Sequence, residues 1–208
     1  MPKNDYRLRD GTQVPGVTTI INQLDKPQLL RWVAKVTKEG KDWEVERDYA
    51  GDIGTLVHTL IMAYFSETDI YPIDPELYGR DLKQFELAWR CYSKFVDWNM
   101  KQNIEPVLTE HQLVSERFKF GGTPDLYANV NDKNRLIDIK TSNGIYDSYW
   151  LQLAAYGILL KENGYKVDEY QILWLPKDNR FDCPIRKTLK REKQIFKHLL
   201  GIYKLRHL

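Results

Sequence analysis

The chain has 208 residues, 31 Lys and Arg against 29 Asp and Glu, a net charge of +2 and 42% hydrophobic residues. This length and apolar content fit one α/β domain over residues 1–208, mainly helical over 1–103 and sheet-based over 104–208. No apolar run approaches the roughly 20 residues of a membrane span, and the polar opening Met1-Pro2-Lys3-Asn4-Asp5 lacks an apolar leader, so a cytoplasmic, intracellular protein is expected. Two cysteines, Cys91 and Cys183, are too few for a disulfide framework or a four-cysteine iron–sulfur cluster.

In chain order, Val17–Leu24 and Pro27–Glu39 read as short helices, the second opened by Pro27 in its first turn. Asp42–Phe65 reads as a longer helix interrupted near Gly51 and Gly54, with His58 inside the run Leu56–Met62. Pro72 and Pro75 mark a loop. Leu82–Lys101 is a helix whose Phe85, Trp89, Tyr92 and Val96 share a face, a stripe that reads as core rather than as a base-stacking platform. Strands are expected at Val107–Ser115, Thr123–Val130 and Arg135–Thr141, the last two joined by the turn-forming stretch 129–134. A helix at Ser148–Lys161, a strand at Tyr170–Leu175 and a short strand near Pro184–Thr188 follow. From Arg186 onward eight Lys or Arg residues face one acid, Glu192. That tail reads as an amphipathic helix with the stripe Ile195, Leu199, Ile202 and Leu205, its basic side suited to phosphate contact.

Chemistry concentrates in Arg135-Leu136-Ile137-Asp138-Ile139-Lys140-Thr141. Alternate strand residues share a face, so Asp138 and Lys140 project together while Ile137 and Ile139 enter the opposite, apolar side. An isolated D-x-K triplet is ordinarily a solvated ion pair on a strand edge. Here Gly121-Gly122-Thr123-Pro124-Asp125 precedes it, putting a second carboxylate on the preceding strand. His58 lies upstream in Gly54-Thr55-Leu56-Val57-His58, and Gln152 and Tyr156 follow one helical turn apart. Carboxylates in this arrangement suit a hard divalent cation and the water it activates.

In this order and spacing the motifs resemble the PD-(D/E)xK nucleases, specifically the RecB-like exonuclease branch that includes CRISPR-associated RecB-type and mitochondrial genome maintenance exonucleases. The likeness extends to Val14-Pro15-Gly16-Val17-Thr18-Thr19, Lys26-Pro27 and Leu30-Arg31-Trp32, and covers about Val14 to Pro176. It implies an α-β-β-β-α-β restriction-endonuclease-like core, a central mixed sheet flanked by helices, with an N-terminal helical extension. It also implies hydrolysis of DNA phosphodiester bonds with one or two Mg²⁺ or Mn²⁺ ions. Several relatives carry an iron–sulfur cluster, which the cysteine count argues against here.

On this reading Asp125, Asp138 and the Ile139 carbonyl are metal ligands, and Lys140 orients or deprotonates the water. The resemblance makes His58 a further ligand; taken alone, a histidine on an apolar helix is more often a hydrogen-bonded core residue. Gln152 and Tyr156 contact the DNA phosphate or order the lysine, unless they are a helix-surface pair. Glu110 resembles an acid on the first core strand of some relatives and is a further candidate ligand; His111 is given no role. Arg31 and Trp32 suit a single strand by charge and stacking, or pack among the N-terminal helices. The expected activity is an exonuclease acting on single-stranded ends in recombination, repair or replication. Alternatives are a flap or junction endonuclease and a catalytically silent DNA-binding module. No phosphate-binding G-x-x-x-x-G-K-[ST] loop occurs, so coupling to unwinding requires a separate helicase or recombination partner. A small stand-alone enzyme of this kind suggests a viral or mobile-element source, acting in the host cytoplasm.

Overall fold

The computed structural model describes residues 5–66 and 81–207; the expected loop at Pro72 and Pro75 lies outside them. Ahead of the first expected helix is a small antiparallel hairpin, Tyr6–Arg7 (β1) with Gln13–Val14 (β2), which sequence reading did not anticipate. Four helices follow: α1 (Val17–Ile21), α2 (Pro27–Lys38), α3 (Trp43–Phe65) and α4 (Leu82–Asn99). The Asp42 carboxylate caps α3 by accepting from Glu44 N and Val45 N, and the Asp81 carboxylate caps α4 by accepting from Gln84 N.

The expected interruption of α3 does not occur. Each glycine costs a helix interior about 1 kcal/mol, yet Gly51 and Gly54 are carried by a run of buried residues from Ile53 to Ile61 that fastens the helix to the core. The stripe on α4 behaves as core: Tyr92 is buried, and Phe85, Trp89 and Val96 pack against the same cluster.

The remaining elements are β3 (Ile104–Thr109), β4 (Leu113–Ser115), β5 (Phe120–Gly122), β6 (Leu126–Val130), β7 (Lys133–Lys140), α5 (Asp147–Glu162), β8 (Glu169–Trp174), β9 (Ile185–Arg186) and α6 (Lys190–His207). Five strands form one sheet in the order β3-β6-β7-β8-β9. All neighbours are antiparallel except β7 and β8, which run parallel and are joined by α5 as the crossover a parallel pair requires. Helix, three strands, helix, strand: this is the restriction-endonuclease-like core expected from the sequence, a mixed sheet between layers of helices.

Two expected strands are corrected. Val107–Ser115 is not continuous: Glu110 takes a positive φ of 42°, the chain leaves the sheet there, and β4 pairs instead with β5 in a separate two-stranded ribbon. Thr123–Val130 is likewise shortened to β6, because Phe120–Gly122 belongs to that ribbon and 123–125 forms the link. The β6–β7 hairpin is tight. Asn131 and Asp132, at φ 50° and 62°, form the two-residue turn that suits strand twist.

Alternation distributes the strands between two cores. Tyr127, Leu136, Tyr170, Ile172 and Trp174 face α1, α5 and α6. Leu126, Ala128, Ile137, Ile139 and Leu173 face α3 and α4. Helix α5 is buried nearly all round, from Trp150 to Leu160, as befits a helix enclosed by neighbours. The expected stripe on the last helix is shifted: Phe196, Leu199 and Leu200 are buried, whereas Ile202 and Leu205 are 47% and 87% exposed. The Phe196 ring sits 5.0 Å from Phe120, and this contact sets the rotation of α6.

Candidate metal and phosphate site

The β6–β7 register brings the two motif carboxylates to one end of the hairpin. Asp125 does not lie on a strand as expected but immediately before β6, beside the pair Leu126 and Ile137. Its Oδ2 accepts a 2.7 Å hydrogen bond from Ile139 N, so the main chain of β7 fixes it against the D-x-K segment. Asp138 is fully buried and Lys140 is 17% exposed, and both project toward α5, opposite Ile137 and Ile139, as alternation requires. Lys140 Nζ donates to Asp138 Oδ1 at 2.8 Å. It lies 2.8 Å from Oδ2 as well, but off the direction of a hydrogen bond, and that buried oxygen has no hydrogen-bond partner.

The electrostatics follow from burial. Loss of solvent, reinforced by the Asp125 charge, raises the Asp138 pKa to about 6 despite the opposing Lys140 ammonium. For Lys140, burial works against the charged form, but Asp138 and Asp125 outweigh it and the net shift is upward. Lys140 is therefore held as an ammonium.

His58 reaches this end of the sheet from α3. Its Nε2 is 3.1 Å from the Ile139 carbonyl oxygen, and its Nδ1 is 3.7 Å from Asp125 Oδ1 and 3.9 Å from Glu110 Oε1. Glu110 is not on the first core strand, as expected, but at the break just after β3, where its N–H donates to the Asp125 carbonyl. That kink turns an otherwise edge-facing acid toward His58. His111 is exposed and lies outside any strand.

On α5, Gln152 Nε2 donates to the Tyr156 hydroxyl at 2.8 Å. Tyr156 is buried, not a surface residue, and burial followed by the Asp125 and Asp138 charges raises its pKa well above the ordinary value. The two glycines of the Gly-Gly-Thr-Pro-Asp motif serve close approach. A Cβ on Gly121 would lie 2.3 Å from Tyr6 Cγ, and one on Gly122 would lie 2.6 Å from Tyr156 Cε1. The Tyr6 hydroxyl is 2.9 Å from Thr123 Oγ1, so the N-terminal hairpin buttresses the link that carries Asp125.

His58, Glu110, Asp125, Ile139, Lys140 and Gln152 line a cleft of about 920 Å³, whereas Asp138 and Tyr156 are buried beside it. Thr18, Thr19, Thr55 and Thr141, which fall within the sequence motifs but were given no role there, also line it, as do Thr59 and, from beyond β8, Lys177, which belong to none of the motifs. Arg31, exposed, and Trp32, half-buried on α2, do not line the cleft. Nor does α4, which packs its aromatic face into the core.

As the side chains stand, no three His, Cys, Asp or Glu groups among the described residues converge on one point at ligand distance. The donor chemistry nevertheless fits a divalent cation. It combines carboxylates, a main-chain carbonyl and an imidazole, with the partnerless buried oxygen of Asp138 as its least satisfied atom. The two imidazole nitrogens face different oxygens, Nε2 the Ile139 carbonyl at 3.1 Å and Nδ1 the Asp125 Oδ1 at 3.7 Å, so an ion would take the histidine through only one of them.

No protein-family model matches the chain, and no curated protein matches it either. Among solved structures, it is similar to a candidate exonuclease from Eubacterium rectale, with 15% identity, 74% of this chain and 65% of that one covered, and a TM-score of 0.46. The chain thus spans just under two thirds of that protein. It is also similar to an alkaline exonuclease from Laribacter hongkongensis, at 17% identity over 57% of this chain and 67% of that one, with a TM-score of 0.34. For that enzyme in complex with dAMP, the identity is 18%, the coverage 76% and 93%, and the TM-score 0.33. No helix among the described residues is long and apolar enough to cross a membrane.

Proposed function

We propose that the chain is a metal-dependent DNA exonuclease of the RecB-like type, a single nuclease domain acting on single-stranded ends. One observation carries the reading. Asp125, Lys140, His58 and Ile139, brought from separate parts of the sequence, line one open cleft at the end of the sheet, and the buried Asp138 carboxylate is bonded to Lys140 there. A passive DNA-binding module has no use for a buried acid–lysine pair beside an imidazole.

Asp125, Asp138, the Ile139 carbonyl and His58 would hold Mg²⁺ or Mn²⁺, with Glu110 as an outer acid. When bound, the ion neutralises phosphate charge and lowers the pKa of an attached water. Lys140, beside Asp138, would orient or deprotonate that water and stabilise the charge developing at the phosphate. Tyr156 stays protonated and, fixed by Gln152, offers a donor to a phosphate oxygen. The threonine-rich wall offers hydroxyls to sugar and phosphate, which position a strand without reading its bases. The single-strand preference is the expectation that the resemblance implies, and these backbone-type contacts are compatible with it.

The test uses end-labelled linear single-stranded and duplex DNA, with circular single strands as control, in Mg²⁺ or Mn²⁺. Progressive loss of the linear single strand, with blunt duplex and circles spared, is the expected result. Cutting of circles at a comparable rate would establish the endonuclease alternative, and inertness toward every DNA would refute the enzyme reading.

A further inference from the structure

Lys177 is the one cleft lysine that the proposed chemistry does not use. It follows β8, whose Trp174 pairs with Lys140, and Leu175 N donates to the Lys140 carbonyl at 2.7 Å. Lys177 therefore stands just beyond the same sheet end. Its ammonium is partly buried and donates to the Thr141 carbonyl at 3.2 Å. Lys140 has two carboxylates acting on it, whereas among the described residues no carboxylate is paired with Lys177, whose pKa is lowered by burial against the opposing effect of the Cys91 thiol. One carbonyl satisfies only one of its three N–H groups. A half-buried cation without a counter-charge is costly and calls for an anion.

The backbone that presents it is fastened from several sides. From α4, Lys94 donates to the carbonyls of Pro176, Asp178 and Arg180, using all its donors on this one loop. Arg180 lies over the Trp174 ring at 5.0 Å and donates to the Asn143 carbonyl, while Trp174 Nε1 donates to the Ser142 carbonyl. A loop tied at so many points holds its side chain in a prepared position, which limits the ordering cost of binding.

We propose that Lys177 is a phosphate-binding residue, its ammonium contacting a backbone phosphate of the strand lying in the cleft, with Lys94 as the positioning residue that sets the loop. This rests on the nuclease reading above and extends it to substrate recognition. A contact of this kind is independent of sequence and holds the strand in register beside the reacting phosphate.

Binding is measured apart from cleavage, by fluorescence anisotropy of a labelled single-stranded oligonucleotide with the full chain in EDTA at several salt concentrations. Lys177→Met keeps the aliphatic stem and the packing; it should weaken binding about ten-fold and lower the slope of log K against log salt by about 0.7, the loss of one phosphate contact. Lys177→Arg should restore both. In Mg²⁺ the Met variant should raise KM while kcat stays within about two-fold. An unchanged salt slope in Lys177→Met, with wild type binding normally, overturns the proposal and leaves the metal site standing. A wild-type chain that neither binds nor cuts DNA refutes the functional reading, and this inference with it. A lower melting temperature with an unchanged slope assigns Lys177 a structural role and overturns the proposal as well.

Discussion

Replacing Asp125 by alanine removes two things at once: a negative charge beside Asp138, and the acceptor for the buried Ile139 N–H. Asparagine separates them. In Asp125→Asn the charge goes, but the side-chain oxygen can still accept from Ile139 N, where the native bond is 2.7 Å long. In Asp125→Ala that N–H is orphaned beside a residue only 1% exposed, which costs about 1–3 kcal/mol. Relief of repulsion with Asp138 is common to both variants and cancels in their difference. Urea denaturation in EDTA should therefore place Asp125→Ala below Asp125→Asn by about 1–3 kcal/mol. In a chain of this size each kcal/mol corresponds to roughly 2–4 °C in Tm. Both variants should lose nuclease activity by orders of magnitude. Equal stabilities, or a more stable alanine variant, would refute the bond that locks Asp125 to β7.

Lys140→Ala leaves the Asp138 carboxylate buried and unpaired, so it should cost about 3–5 kcal/mol in urea titration, and Asp138→Asn in the same chain should recover most of that loss. His58→Ala should raise the Mn²⁺ concentration for half-maximal cleavage; if only Tm falls, His58 is not a ligand. Gly121→Ala forces a Cβ to within 2.3 Å of Tyr6 Cγ; it should destabilise by about 1–3 kcal/mol, and by markedly less in a Tyr6→Ala background, as a double-mutant cycle would show. Asp178, bonded by Arg180 side chain and backbone, has its pKa lowered from 3.8 to about 2. Its contribution is present above pH 4 and lost as pH falls through 2, so the deficit of Asp178→Asn relative to wild type should vanish across that window.

The D-x-K segment was legible because strand alternation puts Asp138 and Lys140 on one side and Ile137 and Ile139 on the other, and the structure keeps them apart on that rule. Gln152 and Tyr156 were legible from helical spacing. The strand break at Glu110 was not: Thr109-Glu110-His111-Gln112 holds no glycine or proline to mark a turn, and nothing local announces a positive φ at a glutamate. The motif glycines were visible, but their cause was not, since the rings that occupy their space, Tyr6 at Gly121 and Tyr156 at Gly122, lie far from them along the chain. Lys177 was hidden for a similar reason. Its meaning depends on its place in the cleft wall and on the groups around it, which are properties of three-dimensional surroundings. The stripe on the last helix was misread because Phe120 selects Phe196 as its contact, and helical spacing alone does not set that rotation.

The two-residue turn at Asn131 and Asp132 bears on the order in which the site assembles. Hairpins of this kind close in microseconds, so Asp125 and Ile139, 14 residues apart, are aligned by a purely local event. His58 and Ile139 are separated by 81 residues, a closure whose entropic cost exceeds the first by about 1.5 kcal/mol on simple chain statistics. The carboxylate pair can thus form early on the folding path, and the histidine completes the set only when α3 docks on the sheet. Metal selectivity, insofar as it depends on the imidazole, is then a late-acquired property of the chain, one that a partly folded species retaining only the hairpin would lack.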